Sequence, residues 1–155
     1  MKNYLTKEGL EKLKKDLDYL KTVKRKEIAK NLKHAASFGD LKENAAYDEA
    51  KEAQGFAEGK ISELEFLIKS AVIIGKPAKN KIQIGSTVIV AKSCDKKNLE
   101  KEKYTIVGPP ETNPLEGKIS AYSPLGKAVL GLKKGDDFIV ETPEGKVKYK
   151  IIKIE

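Results

Sequence analysis

Two carboxylates three residues apart, Asp40 and Glu43, are the groups in this chain best placed to do chemistry. They lie in a polar stretch, residues 38–44 (FGDLKEN), between two long segments with helical apolar spacing. Gly39 supplies the permissive backbone that ends one helix, and Asp40 with Glu43 can start the next. In one reading the pair is a capping box, with Asp40 as N-cap and Glu43 reaching back to the Asp40 N–H. In the other, the pair sits at the end of a probe and shares a divalent cation with a partner. Residues three apart on a helical turn have Cβ atoms about 5–6 Å apart, and Mg²⁺ takes few protein ligands while keeping several waters. Two acids are too few to hold the ion alone. A cap can still offer a free oxygen, so both readings stand.

Other chemistries are poorly supplied. His34 is the only histidine, which excludes a histidine-rich zinc site, and no Gly-rich phosphate loop of either common type is present. Cys94 is the only cysteine, so no intramolecular disulfide forms and a reducing compartment is expected. The N-terminus has no apolar signal core and no apolar run approaches membrane-spanning length, so the chain reads as cytoplasmic.

The elements that must position the acids show in the apolar repeat. After Thr6, an N-cap candidate, Leu10, Leu13, Leu17 and Leu20 recur at three-four spacing. Lys24, Ile28, Leu32 and Ala35 continue it with an extra four, a stutter that locally unwinds a coiled coil. Beyond the turn, Tyr47, Ala50, Gln54, Ala57, Ile61, Leu64 and Ile68 alternate strictly. The two legs, about 30 residues and on the order of 45 Å each, predict an antiparallel helical hairpin. Its tip should be slender, with a seam of Ala35, Ala36, Ala45, Ala46, Ala50 and Ala53, and its far end bulkier. Residues 1–33 carry eleven Lys/Arg against five Asp/Glu, and residues 34–70 four against eight. This asymmetry favours pairing of the legs and leaves a basic stripe, either a solvated face or a surface for nucleic acid or an acidic protein.

Composition shifts to Pro, Gly and Lys around residues 75–81, a linker signal. Strand-like runs follow at 87–90, 104–107, 138–140 and 147–152, with a turn at 143–145. One short helix is expected after Ser123 as N-cap and Pro124 at its first position. The chain therefore divides into residues 1–75, an antiparallel coiled-coil hairpin with an acidic tip, and residues 76–155, a small α+β domain.

Residues 39–61 (GDLKENAAYDEAKEAQGFAEGKI) resemble the hairpin signature of the bacterial Gre transcript-cleavage factor family. Residues 84–88 (IGSTV), 106–108 (IVG) and 119–128 (ISAYSPLGKA) resemble its second domain, and the match spans the chain in order. The resemblance implies an FKBP-like fold for residues 76–155, docking at the rim of the RNA polymerase secondary channel. It implies that the coiled coil enters the channel, where Asp40 and Glu43 help hold a second Mg²⁺ that the free protein does not bind stably. The polymerase then cleaves nascent RNA near its 3′ end in backtracked complexes, and this protein is not itself an enzyme. Lys42 and Lys51 fall where relatives place basic residues near the RNA. Ser123, Pro124, Leu125 and Gly126 match the helix of the docking domain. No membrane or small-molecule substrate is implied. Alternatives are a channel inhibitor without cleavage, a prolyl isomerase or chaperone, and non-specific DNA binding through the basic leg, which the acidic second leg should weaken.

Overall fold

The structure is a computed structural model that describes residues 2–39, 43–93 and 100–155; Asp40, Lys42 and Cys94 lie outside them. The chain separates into two compact units, residues 8–70 and residues 1–7 with 71–155. Composition changes after residue 75, while the contacts group residues 1–7 and 71–75 with the C-terminal strands.

In the helical unit the first leg is α1 (Lys7–Tyr19), a π-helical turn (Leu20–Lys24) and α2 (Arg25–Ala36). The second leg is α3 (Ala45–Lys69). The π turn falls where the apolar repeat carries its extra four, and the Arg25 N–H bonds to the Leu20 carbonyl five residues back. A wider turn absorbs the added residue without rotating the following seam away from α3. All eight seam positions from Leu10 to Ala35 are buried or half-buried, and every other residue from 11 to 39 is exposed. The seven seam positions of α3 are likewise buried or half-buried.

Pairing across the seam makes the legs antiparallel. Lys21 pairs with Glu65, Arg25 makes two bonds to Glu58 at 2.7 and 2.8 Å, and Asn44 reaches Ala35. Exposed pairs contribute only about 0–1 kcal/mol each, so burial of Ile28, Ile61 and Leu64 does more, at roughly 1.5–3 kcal/mol per fully buried side chain. The expected alanine tip needs correction. Ala35 and Ala50 lie in the seam, whereas Ala36, Ala45, Ala46 and Ala53 are exposed because they fall off the three-four repeat.

In the other unit, β1 (Asn3–Leu5) pairs in parallel with β2 (Ala71–Ile73). A five-stranded sheet runs β5-β4-β3-β7-β6, with β3 Thr87–Lys92, β4 Lys101–Val107, β5 Lys118–Ser120, β6 Asp137–Thr142 and β7 Gly145–Ile154. Helix α4 (Pro124–Val129) packs on its core face, where Val88, Val90, Ile106, Val129, Phe138 and Ile151 are buried. The expected hairpin and small α+β domain are therefore both present. Strands β1, β2 and β5 were not foreseen, since three residues are too few to display an alternating pattern.

The N-terminal residues are pinned to this unit by specific contacts. Leu5 is fully buried. The Thr6 N–H and hydroxyl both donate to the Glu111 carboxylate, at 2.8 and 2.6 Å. A Cβ on Gly108 would collide with the Tyr4 carbonyl oxygen, so only glycine admits β1 at that distance. Among the described residues no helix is long and apolar enough to cross a membrane.

Candidate functional site

Asn44 opens the second leg of the hairpin. Helix α3 begins at Ala45, and Asn44 is its N-cap, with Oδ1 accepting from the Tyr47 N–H at 3.1 Å. Glu43 therefore precedes the cap of α3 instead of standing at its third helical position, and Asp40, the other half of the expected capping box, lies outside the described residues. Donor capacity suits Asn44 to this place. Asn44 Nδ2 also donates to the Ala35 carbonyl at 2.6 Å, which an ionised carboxylate cannot do. One amide thus satisfies an orphan N–H of α3 and a terminal C=O of α2. Asn44 escaped the sequence reading, although Asn before an Ala-rich helical run is itself a start signal.

On the other side of the turn, Gly39 has φ +83° and its N–H bonds to the Ala36 carbonyl at 3.2 Å. This is the left-handed helix stop expected of it. His34 and Phe38 meet edge to face at 5.2 Å between ring centroids, while Phe38 stays 65% exposed.

Glu43 is exposed and outside the helix; its companion Asp40 and the neighbouring Lys42 lie outside the described residues. Lys51 is exposed on α3, its Nζ 3.5 Å from Gln54 Oε1 and 5.8 Å from the Tyr47 ring centroid. Both partners are half-buried and Lys51 itself is exposed, so the ammonium remains accessible to an anion. Among the described residues no group of three or more His, Cys, Asp or Glu could hold a metal. A cation at Glu43 and Asp40 would complete its shell with ligands from elsewhere, as the donor set of two carboxylates requires.

Farther along the hairpin, the Arg25 guanidinium holds the Glu58 carboxyl below its ordinary value, chiefly through their hydrogen bonds, and Glu58 raises Arg25 in return. These groups tie the legs together and are remote in sequence from the tip.

The start of α4 is built as expected. The Ser123 hydroxyl accepts from the Gly126 N–H at 3.0 Å, with Pro124 at the first helical position. Pro124 is exposed, Leu125 packs against the core, and Gly126 is buried where a Cβ would collide with the Ser120 carbonyl. Ser123 and Gly126 therefore shape the turn, and Pro124 with the half-exposed Tyr122 forms its surface.

Comparison with known proteins gives a consistent result along the whole chain. The family described as "Transcription elongation factor, N-terminal" matches residues 3–73, and "Transcription elongation factor, GreA/GreB, C-term" matches residues 77–155. The chain is 49% identical over 152 residues to transcription elongation factor GreA of Thermoanaerobacter pseudethanolicus, covering 97% of this chain and 95% of the relative. It is 47% identical over 151 residues to GreA of Bacillus subtilis, covering 97% and 94%. Among solved structures, GreA factor homolog 1 of Thermus thermophilus aligns over 100% of this chain and 99% of its own, at 30% identity and a TM-score of 0.46.

Proposed function

Because this chain belongs to the GreA/GreB family of transcription elongation factors, we propose that it acts on RNA polymerase whose nascent RNA has slid backwards out of register. The hairpin enters the secondary channel from the rim, where the β domain docks through the Ser123–Gly126 turn with Pro124 outermost. Asp40 and Glu43 offer carboxylate oxygens beside the polymerase's own ligands. A second Mg²⁺ held between them would orient and activate the attacking water, while the metal that the polymerase holds itself would stabilise the leaving oxygen. Lys42 and Lys51 draw the RNA phosphates toward the tip and offset their repulsion by the acids. The polymerase cleaves its transcript; this chain supplies ligands and position, and a shortened, extendable RNA results.

The observation that carries this reading is Glu43, exposed on a turn whose helix is already capped by Asn44. Among the described residues this carboxylate caps no helix, which leaves its charge available to an external partner. A prolyl isomerase is less well supported, because Phe138 and Tyr149 stack on each other at 5.3 Å between ring centroids within the core. They do not line an open proline pocket.

The test is the double variant Asp40→Asn with Glu43→Gln. With Asn44 as the cap, its stability should stay within about 0.5 kcal/mol of the parent, as for surface substitutions generally. It should still compete for the polymerase and no longer stimulate RNA cleavage in a stalled, backtracked complex. Raised Mg²⁺ should partly rescue each single variant. Normal cleavage by the double variant would refute metal sharing, and a parent protein that blocks without cleaving would identify an inhibitor.

A further inference from the structure

Strand β6 forms one edge of the five-stranded sheet, with β7 on one side and no strand on the other. The Ile151 N–H bonds to the Asp136 carbonyl, and the antiparallel register runs on unbroken from Asp137↔Lys150 to Thr142↔Gly145. Phe138 and Val140 therefore turn their backbone groups to β7, while Asp137, Ile139 and Glu141 turn theirs outward. Among the described residues nothing bonds to those outward N–H and C=O groups. The side chains of the same three residues stand exposed on the face away from the core, where Phe138 and Val140 are buried. Ile139 is 57% exposed between the two acids.

Open edges invite unwanted pairing, and proteins guard them with lysine, proline or a bulge. That guard is present elsewhere in this sheet. β5 pairs only with Thr105, Ile106 and Val107 of β4, and the stretch of β4 beyond its reach carries Lys101 and Lys103. β6 has neither lysine nor proline, and its register with β7 has no bulge. Its charges are acidic, and each is drawn toward a lysine of β7: Asp137 to Lys148 at 3.8 Å and Glu141 to Lys146 at 3.7 Å.

A second copy of this chain suits the edge poorly. Two β6 strands paired antiparallel about Ile139 would set Asp137 of one copy against Glu141 of the other, and like charges directly opposite destabilise a strand pair. A strand with cations at those positions meets the reverse situation. We infer that the outer edge of β6 receives an extended segment of another protein as a sixth strand, with Lys or Arg opposite Asp137 and Glu141 and an aliphatic residue opposite Ile139. In strand addition the backbone bonds supply affinity and alternate side chains supply selectivity. The two acids thus reject self-pairing and select a basic strand with one device.

The probe is an end-blocked peptide, Thr-Lys-Thr-Val-Thr-Lys-Thr, which as a strand places Lys, Val and Lys on one face. Hydrogen exchange of the full chain, read by NMR, should show the Asp137, Ile139 and Glu141 amides slowing about tenfold once the peptide fills about nine-tenths of the sites. The Phe138 and Val140 amides, already bonded to β7, should hardly change. A peptide N-methylated at the amides that face β6 should give no protection, and one with Glu in place of Lys should bind at least about tenfold more weakly. Asp137→Lys with Glu141→Lys should reverse that preference and take the Glu peptide, a gain that no folding defect produces. Ile139→Lys, which installs the missing guard, should abolish binding. The inference is overturned if the three amides exchange as in the free protein at millimolar peptide, if the parent binds both peptides alike, or if the paired lysine variant keeps the parent's preference. It is equally overturned if raising the protein concentration alone protects the three amides, since a second copy would then fill the edge.

Discussion

Replacing Asn44 by Ala removes two bonds at once, the cap to the Tyr47 N–H and the tie to the Ala35 carbonyl. A lost cap costs about 1 kcal/mol, and a lost hydrogen bond roughly 0.5–1.5 kcal/mol more. Asn44→Asp keeps the cap and loses only the donor, so denaturant unfolding should rank Asn above Asp above Ala. Equal stability of Asn and Asp would mean the tie to α2 contributes nothing. Asp40 and Glu43 drew attention in the sequence because their spacing alone satisfies a capping box. The preference for Asn44 depends on a carbonyl nine residues back, which no local pattern displays. Tyr104 offers a second test. Burial first, and then its 2.7 Å bond to Glu102, push its phenol up to about 12 from 10.0. The folded value lies above the unfolded one, so this contribution is complete below about pH 10 and is lost as pH rises from about 10 to about 12. Alkaline absorbance titration should show a phenol ionising near the top of that window, absent in Tyr104→Phe and shifted down in Glu102→Gln.

Elements of this chain tolerate change very unequally, and glycine measures the difference. Gly55 lies in α3 with open space where a Cβ would stand, so Gly55→Ala should stabilise the hairpin by about 0.8–1 kcal/mol. Gly108→Ala must push β1 off its seat, and overpacking of this kind costs about 1–3 kcal/mol. Thermal melts of the two variants should move in opposite directions; a neutral Gly108→Ala would show that β1 is loosely held. The helices were legible because a three-four repeat over many residues is redundant; the stutter at Lys24 pointed to a local unwinding, and the π turn lies there. The longer strands were legible from their β-branched runs. β1, β2 and β5 were not, because their pairing rests on residues distant in sequence. The extent of the alanine seam was overread for a related reason: alanine is both a small packing residue and a good helix former, and only its phase in the repeat distinguishes the uses.

At the scale of the whole chain, a change of composition after residue 75 marks where helix gives way to strand, yet the strand unit also owns the first seven residues. Leu5→Ala should therefore act at a distance in sequence. Emptying a fully buried leucine site costs about 2–5 kcal/mol, and hydrogen exchange should show lost protection in β3 and β4 while the α3 seam amides hold. Equal loss in α3 would mean that the two units open together. The same feature bears on how the protein is made. The Thr6–Glu111 clasp joins residues 105 apart. Synthesis proceeds at roughly 5–20 residues per second, which separates the emergence of those two residues by about 5–20 s. During that interval the first strand has no seat and Leu5 faces water. The hairpin, whose partners lie close in sequence, can form as it leaves the ribosome, so residues 3–6 reach their final seat only after the helices that follow them.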